Sequence, residues 1–263
     1  MPQALSLSSF KKQLRAVITD GVQDELLTFE GVDRDLALKC YDSLSTPQLR
    51  DHKLRFSYDS SSQTLTVFAM PSNEHECVAD WLVKCWGTWL LEGLLPRSSM
   101  LDLSMMGSPK QDKFAGRFEG SIKLPDYCFK MRGLPFPTVV LETGMSESYA
   151  KLLRDKDIWI TGSAGFTKVV LLVKITRGSG GVTAFLELWR TNSCPHRITV
   201  LPEPDQSREP QQDPVLTLQD LYGDCEVPAG TNADQELPLY LGWLRTCIYQ
   251  ALDLTNAHNQ YSP

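Results

Sequence analysis

Two apolar runs, each carrying one acidic residue, constrain this chain more than any other feature. The first is Leu124-Pro125-Asp126-Tyr127-Cys128-Phe129 and the second Pro137-Thr138-Val139-Val140-Leu141-Glu142-Thr143-Gly144. A carboxylate in a run destined for burial is costly unless it has partners or reaches a strand end. The two acids stand sixteen residues apart, joined through Gly133, Pro135 and Pro137, a spacing that predicts neighbouring strands. Hairpin pairing then brings Asp126 and Glu142 within reach of one divalent cation. Hard cations of the magnesium type take oxygen ligands, one or two of them carboxylates beside waters and substrate phosphate. The alternative is a pair of strand-end acids that are solvated or paired with Lys123 or Lys130.

Composition narrows the remaining choices. A 42% hydrophobic content over 263 residues is ordinary for a soluble globular protein and sufficient for a sizeable core. No apolar run approaches the ~20 residues of a membrane span. Lys11 and Lys12 follow the first apolar residues rather than precede them, which does not match a secretory signal. The seven cysteines (Cys40, Cys77, Cys85, Cys128, Cys194, Cys225 and Cys247) form no Cys-x-x-Cys pair. They read as reduced thiols of an intracellular protein, cytoplasmic or nuclear, with no membrane partner. Four dispersed histidines (His52, His75, His196, His258) argue against a zinc hydrolase. The net charge of −6 argues against nonspecific coating of nucleic acid, whose affinity comes from lysine and arginine, but leaves room for a local basic groove.

Along the chain, Ser8–Ala16 and Asp33–Leu44 have helical spacing, with Asp33 as cap and Pro47 as stop. Leu54–Tyr58 and Thr64–Met70 alternate apolar and polar residues around the serine-rich Asp59–Gln63, a hairpin pattern. Pro71-Ser72-Asn73-Glu74 supplies caps for a helix over Glu76–Leu91, whose Val78, Trp81, Leu82, Cys85, Trp86 and Trp89 form one broad apolar face and so predict core. His75 and Glu76 fall in its first turn. Glu76 either complements the helix dipole or points its carboxylate back toward the sheet, and His75 reads as a local hydrogen-bonding partner. Arg117–Ile122 leads into the Asp126 strand. Ser146 or Ser148 caps a helix carrying Tyr149, Leu152, Leu153, Lys156 and Trp159. The apolar run Val169–Val173 then predicts a central strand covered on both faces, and Val182–Arg190 another strand. Pro202–Pro214 reads as a flexible loop, and Leu216–Leu221 and a helix over Leu237–Leu252 pack back onto the core. Neither GxxxxGK[ST], GxGxxG nor GxSxG occurs.

This order of elements (hairpin, Pro-x-x-x-His-Glu, helix, Pro125-Asp126 strand, apolar strand to Glu142, helix, apolar strand) resembles the restriction-endonuclease-like superfamily, whose signature is PD-(D/E)XK. It is similar to a widespread branch assigned as endonucleases, with a helix-borne lysine. The resemblance covers roughly Leu54–Thr176 and implies an α/β fold with a restriction-endonuclease-like core, a central mixed sheet flanked by helices. It implies a helical extension over 1–53, the core over 54–200, a loop over 201–214 and a C-terminal helical element over 215–263. By position, Asp126 and Glu142 match the metal-binding carboxylates, and Glu76, with Glu74 as alternative, the helix acid. The signature lysine position holds Gly144, so Lys156, or Lys151, takes that role.

The implied function is Mg²⁺- or Mn²⁺-dependent hydrolysis of nucleic-acid phosphodiesters. In it Asp126 and Glu142 hold the ion, Glu76 assists through water or a second ion, and Lys156 stabilises developing charge. The missing lysine equally implies the alternative: a catalytically inactive, degenerate member that binds nucleic acid or a protein partner through the same cleft.

Overall fold

The computed structural model describes residues 5–21, 25–46, 49, 52, 54–69, 72–145, 147–191, 195–205, 207 and 210–261, without the side chains of 74 and 253–261. Pro47, Met70, Pro71, the Glu74 side chain, Ser146 and Cys194, which figure in the sequence reading, lie outside the described residues, as do 206, 208 and 209 of the proline-rich loop.

The chain opens with α1 (Leu7–Asp20), β1 (Glu25–Phe29) and α2 (Arg34–Ser43), then runs through the hairpin β2 (Leu54–Asp59) and β3 (Thr64–Ala69). Asp33 caps α2 by accepting from the Leu36 amide, as its position before an apolar run predicts. Antiparallel pairing of β1 with β3 and of β2 with β3 makes a sheet, and the N-terminal 53 residues therefore supply a strand as well as two helices. The period-two pattern sorts the sheet's faces. Phe29, Phe56, Tyr58, Leu65 and Val67 are buried against Phe10, Leu14, Ala37 and Cys40 of the helices. Arg55, Ser57, Thr66 and Thr28 carry the opposite, polar face.

Helix α3 (Asn73–Leu91) follows, capped by Ser72, which accepts from the His75 amide. Trp81 and Trp89 are fully buried, and their indole N–H groups donate to the carbonyls of Tyr240 and Pro238 at 2.9 and 2.8 Å. Those bonds satisfy the one polar atom that burying a tryptophan strands. The short α4 (Ser99–Asp102) and β4 (Leu103–Met106) lead through a 3₁₀ turn at Gly116–Phe118 to β5 (Ile122–Lys123). β5 pairs with β2 and completes the four-stranded sheet, ordered β1-β3-β2-β5. The chain then leaves that sheet within three residues and enters a second one.

That second sheet has six strands, with β6 (Tyr127–Met131), β7 (Val139–Gly144), β8 (Val169–Gly178), β9 (Gly181–Arg190) and β10 (His196–Leu201) beside β4, in the order β10-β9-β8-β7-β6-β4. It is mixed: β7 and β8 are parallel, joined by α5 (Tyr149–Gly162), and the other neighbours antiparallel. Every residue of Val169–Val173 is buried on both faces, as a continuous apolar run requires of a central strand. One face packs on α3 and α7 (Leu241–Tyr261), with β11 (Val215–Thr217), α6 (Leu218–Tyr222) and β12 (Glu236–Pro238) at its margin. The other face packs on α5 through Val140, Val170, Leu172, Leu152, Ile158 and Trp159. The protein is thus an α/β fold with a large mixed sheet flanked by helices. Among the described residues no helix is long and apolar enough to cross a membrane.

Candidate functional site: a buried charged centre

The β6–β7 hairpin pairs Tyr127 with Leu141, which brings Asp126 beside the Glu142–Thr143 step, and the Thr143 amide donates to Asp126 Oδ2 at 2.6 Å. Asp126 and Glu142 line one cavity of about 30 Å³, room for a single water. Over it lies the polar face of the four-stranded sheet, and beside it the buried face of α5.

Each carboxylate already has cations. Asp126 faces His75 Nε2 at 3.4 Å and Arg55 Nε at 3.6 Å. Burial would raise its pKa, but His75 and Arg55 overturn that and hold it well below the usual carboxylate range. Burial would likewise neutralise His75, yet Asp126 drives it up to about 10, so the imidazole is charged. Arg55 also bridges to Glu76, Nη2 to Oε1 at 2.9 Å, which ties the helix acid to the same cluster.

Glu142 meets Lys123 Nζ at 3.2 Å and accepts from the Trp159 indole N–H. Lys123 simultaneously contacts Asp155 Oδ1 at 3.1 Å, and Asp155 Oδ2 accepts from Lys151 at 2.7 Å. Burial pushes Glu142 up, Lys123 pulls it down, and Asp126 and Asp155 push it up again, to about 7. Burial would lower the Lys123 ammonium, but Asp155 and Glu142 hold it above its ordinary value. Burial would raise Asp155, and Lys123 with Lys151 depresses it instead.

Two buried polar atoms on residues that touch Asp126 lack a hydrogen-bond partner among the described residues: His75 Nδ1 and Thr143 Oγ1. Glu147, also buried, lines the cavity and is raised by burial.

The structure therefore brings together Asp126, Glu142 and Lys151, with Glu76 linked through Arg55. It does not bring in Lys156, whose ammonium pairs with the adjacent Asp157 and lies 4.2 Å from the centroid of the Trp189 ring. A side chain at position 144 would force Leu152 to move: a Cβ there would stand 2.6 Å from Leu152 Cδ1 and 3.1 Å from its Cγ. Glycine thus stands at 144 where α5 packs against β7, and Lys123, entering from the other sheet, places an ammonium beside Glu142.

Sequence reasoning passed over Asp155 and did not assign Arg55. Asp155 had a signal. Leu152, Asp155, Trp159 and Gly162, at steps of three and four, share the buried face of α5, so an acid in that stripe must find buried cations. Lys156, one residue on and roughly 100° around the helix, falls off the stripe.

Among the described residues no three acid, histidine or cysteine side chains are placed to hold a metal ion, and an ion at Asp126 and Glu142 would compete with Arg55, His75 and the Thr143 amide at the first and with Lys123 and the Trp159 indole at Oε1 of the second. No protein-family model matches the chain, and no curated protein matches it.

Proposed function

We propose that this chain is a degenerate, restriction-endonuclease-like protein that binds nucleic acid without metal-dependent cleavage. The observation that carries this reading is Lys123 Nζ seated between Glu142 and Asp155, at 3.2 and 3.1 Å. A fixed ammonium occupies the charge-balancing role that a divalent cation has in the active members of that superfamily. The resemblance in element order supports nucleic acid as ligand, and the mixed sheet with β7, α5 and β8 is consistent with it. Acidity of the whole chain restricts binding to a local contact.

A second reading, Mg²⁺- or Mn²⁺-dependent phosphodiester hydrolysis, is favoured by one observation: Asp126, Glu142 and Lys151 line the same cavity. Calorimetric titration with Mg²⁺ and Mn²⁺, beside incubation with mixed DNA and RNA, divides the two. The proposed reading expects no stoichiometric metal uptake at millimolar concentration and no cleavage. Metal-dependent cleavage that is lost in Asp126→Ala and in Glu142→Ala would overturn it.

A further inference from the structure

Beside the charged centre lies a larger cleft of about 460 Å³, which shares Leu26, Ser57, Thr66, Lys151 and Asp155 with the small cavity. Its floor is the polar face of the four-stranded sheet. Pairing aligns Thr28 with Thr66, Thr66 with Ser57, and Ser57 with Lys123. One row across four strands thus carries three hydroxyls and ends on the lysine of the centre. Thr28, Ser57 and Thr66 line the cleft together with Ser62 and Thr64. The opposite wall is α5, through Lys151 and Arg154.

From this geometry we infer that the cleft seats the sugar and phosphate of one unpaired nucleotide, at the end of a strand or displaced from a duplex. The inference rests on the nucleic-acid reading above and names its substrate class. Hydroxyls and lysines are the side chains that grip phosphate and sugar without reading sequence, and among the described residues no aromatic lines the cleft to stack a base. The volume is that of a pocket for one small ligand, too small for a paired helix. Asp155 faces two ammonium groups, Lys123 and Lys151, at 3.1 and 2.7 Å. Glu142 meets Lys123 from the other side, and Glu147 lines the same inner cavity. Arg154, held by Asp59 and Ser61 at the outer rim, and Lys151, paired with Asp155, are the cations of this wall, and a phosphate would compete for Lys151 with a carboxylate that Lys123 also serves.

The test is fluorescence polarisation with labelled dT₁₂, rU₁₂ and a blunt 12-base-pair duplex, in EDTA. Both single strands should bind at least tenfold more tightly than the duplex. One or two phosphates give a slope of log K against log salt of about −0.7 to −1.4. Thr28 is exposed on β1, so Thr28→Trp should fill the cleft and weaken binding tenfold or more with an unchanged melting temperature. Lys151→Gln should reduce the slope by about 0.7, and Lys84→Ala, on the far side of the molecule, should change nothing. Equal affinity for the duplex, or full affinity in Thr28→Trp, would overturn the cleft while nucleic-acid binding stands. Failure of all three probes to bind would overturn the nucleic-acid reading and the cleft with it.

Discussion

Replacing Lys123 with methionine tests the charged centre directly. The residue is 2% exposed and its ammonium touches both Glu142 and Asp155. Methionine keeps most of the volume and removes the charge, which leaves two buried carboxylates to share Lys151 and an indole. Breaking a buried ion pair by deleting one partner costs about 3–5 kcal/mol, equivalent to roughly 6–20 °C in Tm for a chain of this size. The loss should depend on pH with a definite sign. Lys123 draws the Glu142 pKa down toward about 7, so without it Glu142 titrates higher and holds its proton in the folded state. At pH 5.5 Glu142 is neutral with or without Lys123 and only Asp155 loses a partner, whereas at pH 8 holding the Glu142 proton adds a further cost, so the loss is larger at pH 8. Urea unfolding followed by tryptophan fluorescence at the two pH values reads this, since Trp159 bonds to Glu142. A loss below about 1 kcal/mol at pH 8, or the same loss at both pH values, would refute the reasoning.

Three further outcomes follow from the same geometry. On these groups the native fold should be most stable near pH 4.5, above the ordinary value of Asp126 and at the onset of the Glu142 loss, as thermal melts from pH 3 to 10 would show. Glu142, raised from 4.5 to about 7, binds its proton more tightly when folded, so stability falls as pH rises between those values. His75, raised from 6.5 to about 10, contributes fully below 6.5 and is lost toward 10. Asp126, lowered from 3.8, contributes above that value and is lost in acid, and a maximum above pH 8 contradicts all of this. Gly144→Ala should cost about 1–3 kcal/mol by overpacking Leu152, measured by urea titration, with a normal stability pointing to slack between β7 and α5. Lys156→Ala should cost under about 1 kcal/mol and leave strand binding within twofold, because Lys156 stands against Trp189 rather than the centre.

Much of the scaffold was legible because it follows from periodicity. Alternation in Leu54–Tyr58 and the apolar run Val169–Val173 each admit one structural solution, a hairpin with one wet face and a strand covered on both. β1 was not legible: Glu25–Phe29 is short, and only its pairing with β3 reveals what it is for. β5 misled for a different reason. Arg117–Ile122 reads as the lead-in to the Asp126 strand, yet Ile122, with Lys123, pairs into the other sheet, and nothing local distinguishes the two. Asp126 and Glu142 could be singled out because an acid in an apolar run is conspicuous. Lys123 could be named beside them as a candidate partner, and it pairs with Glu142, whereas Arg55 is an ordinary surface type until long-range pairing brings it to Asp126.

The exchange of sheets between Lys123 and Asp126 has a consequence for how the molecule assembles. Lys123 belongs to the four-stranded sheet and Asp126 opens a strand of the other, so the charges balance only after the two layers close on each other. Before closure every one of these groups keeps its water, and neither layer is penalised for forming alone. After closure a misaligned layer would strand a bare charge in a dry seam. The ion cluster therefore works against misaligned dockings of the two layers, each of which would leave Lys123 or Glu142 without its partner.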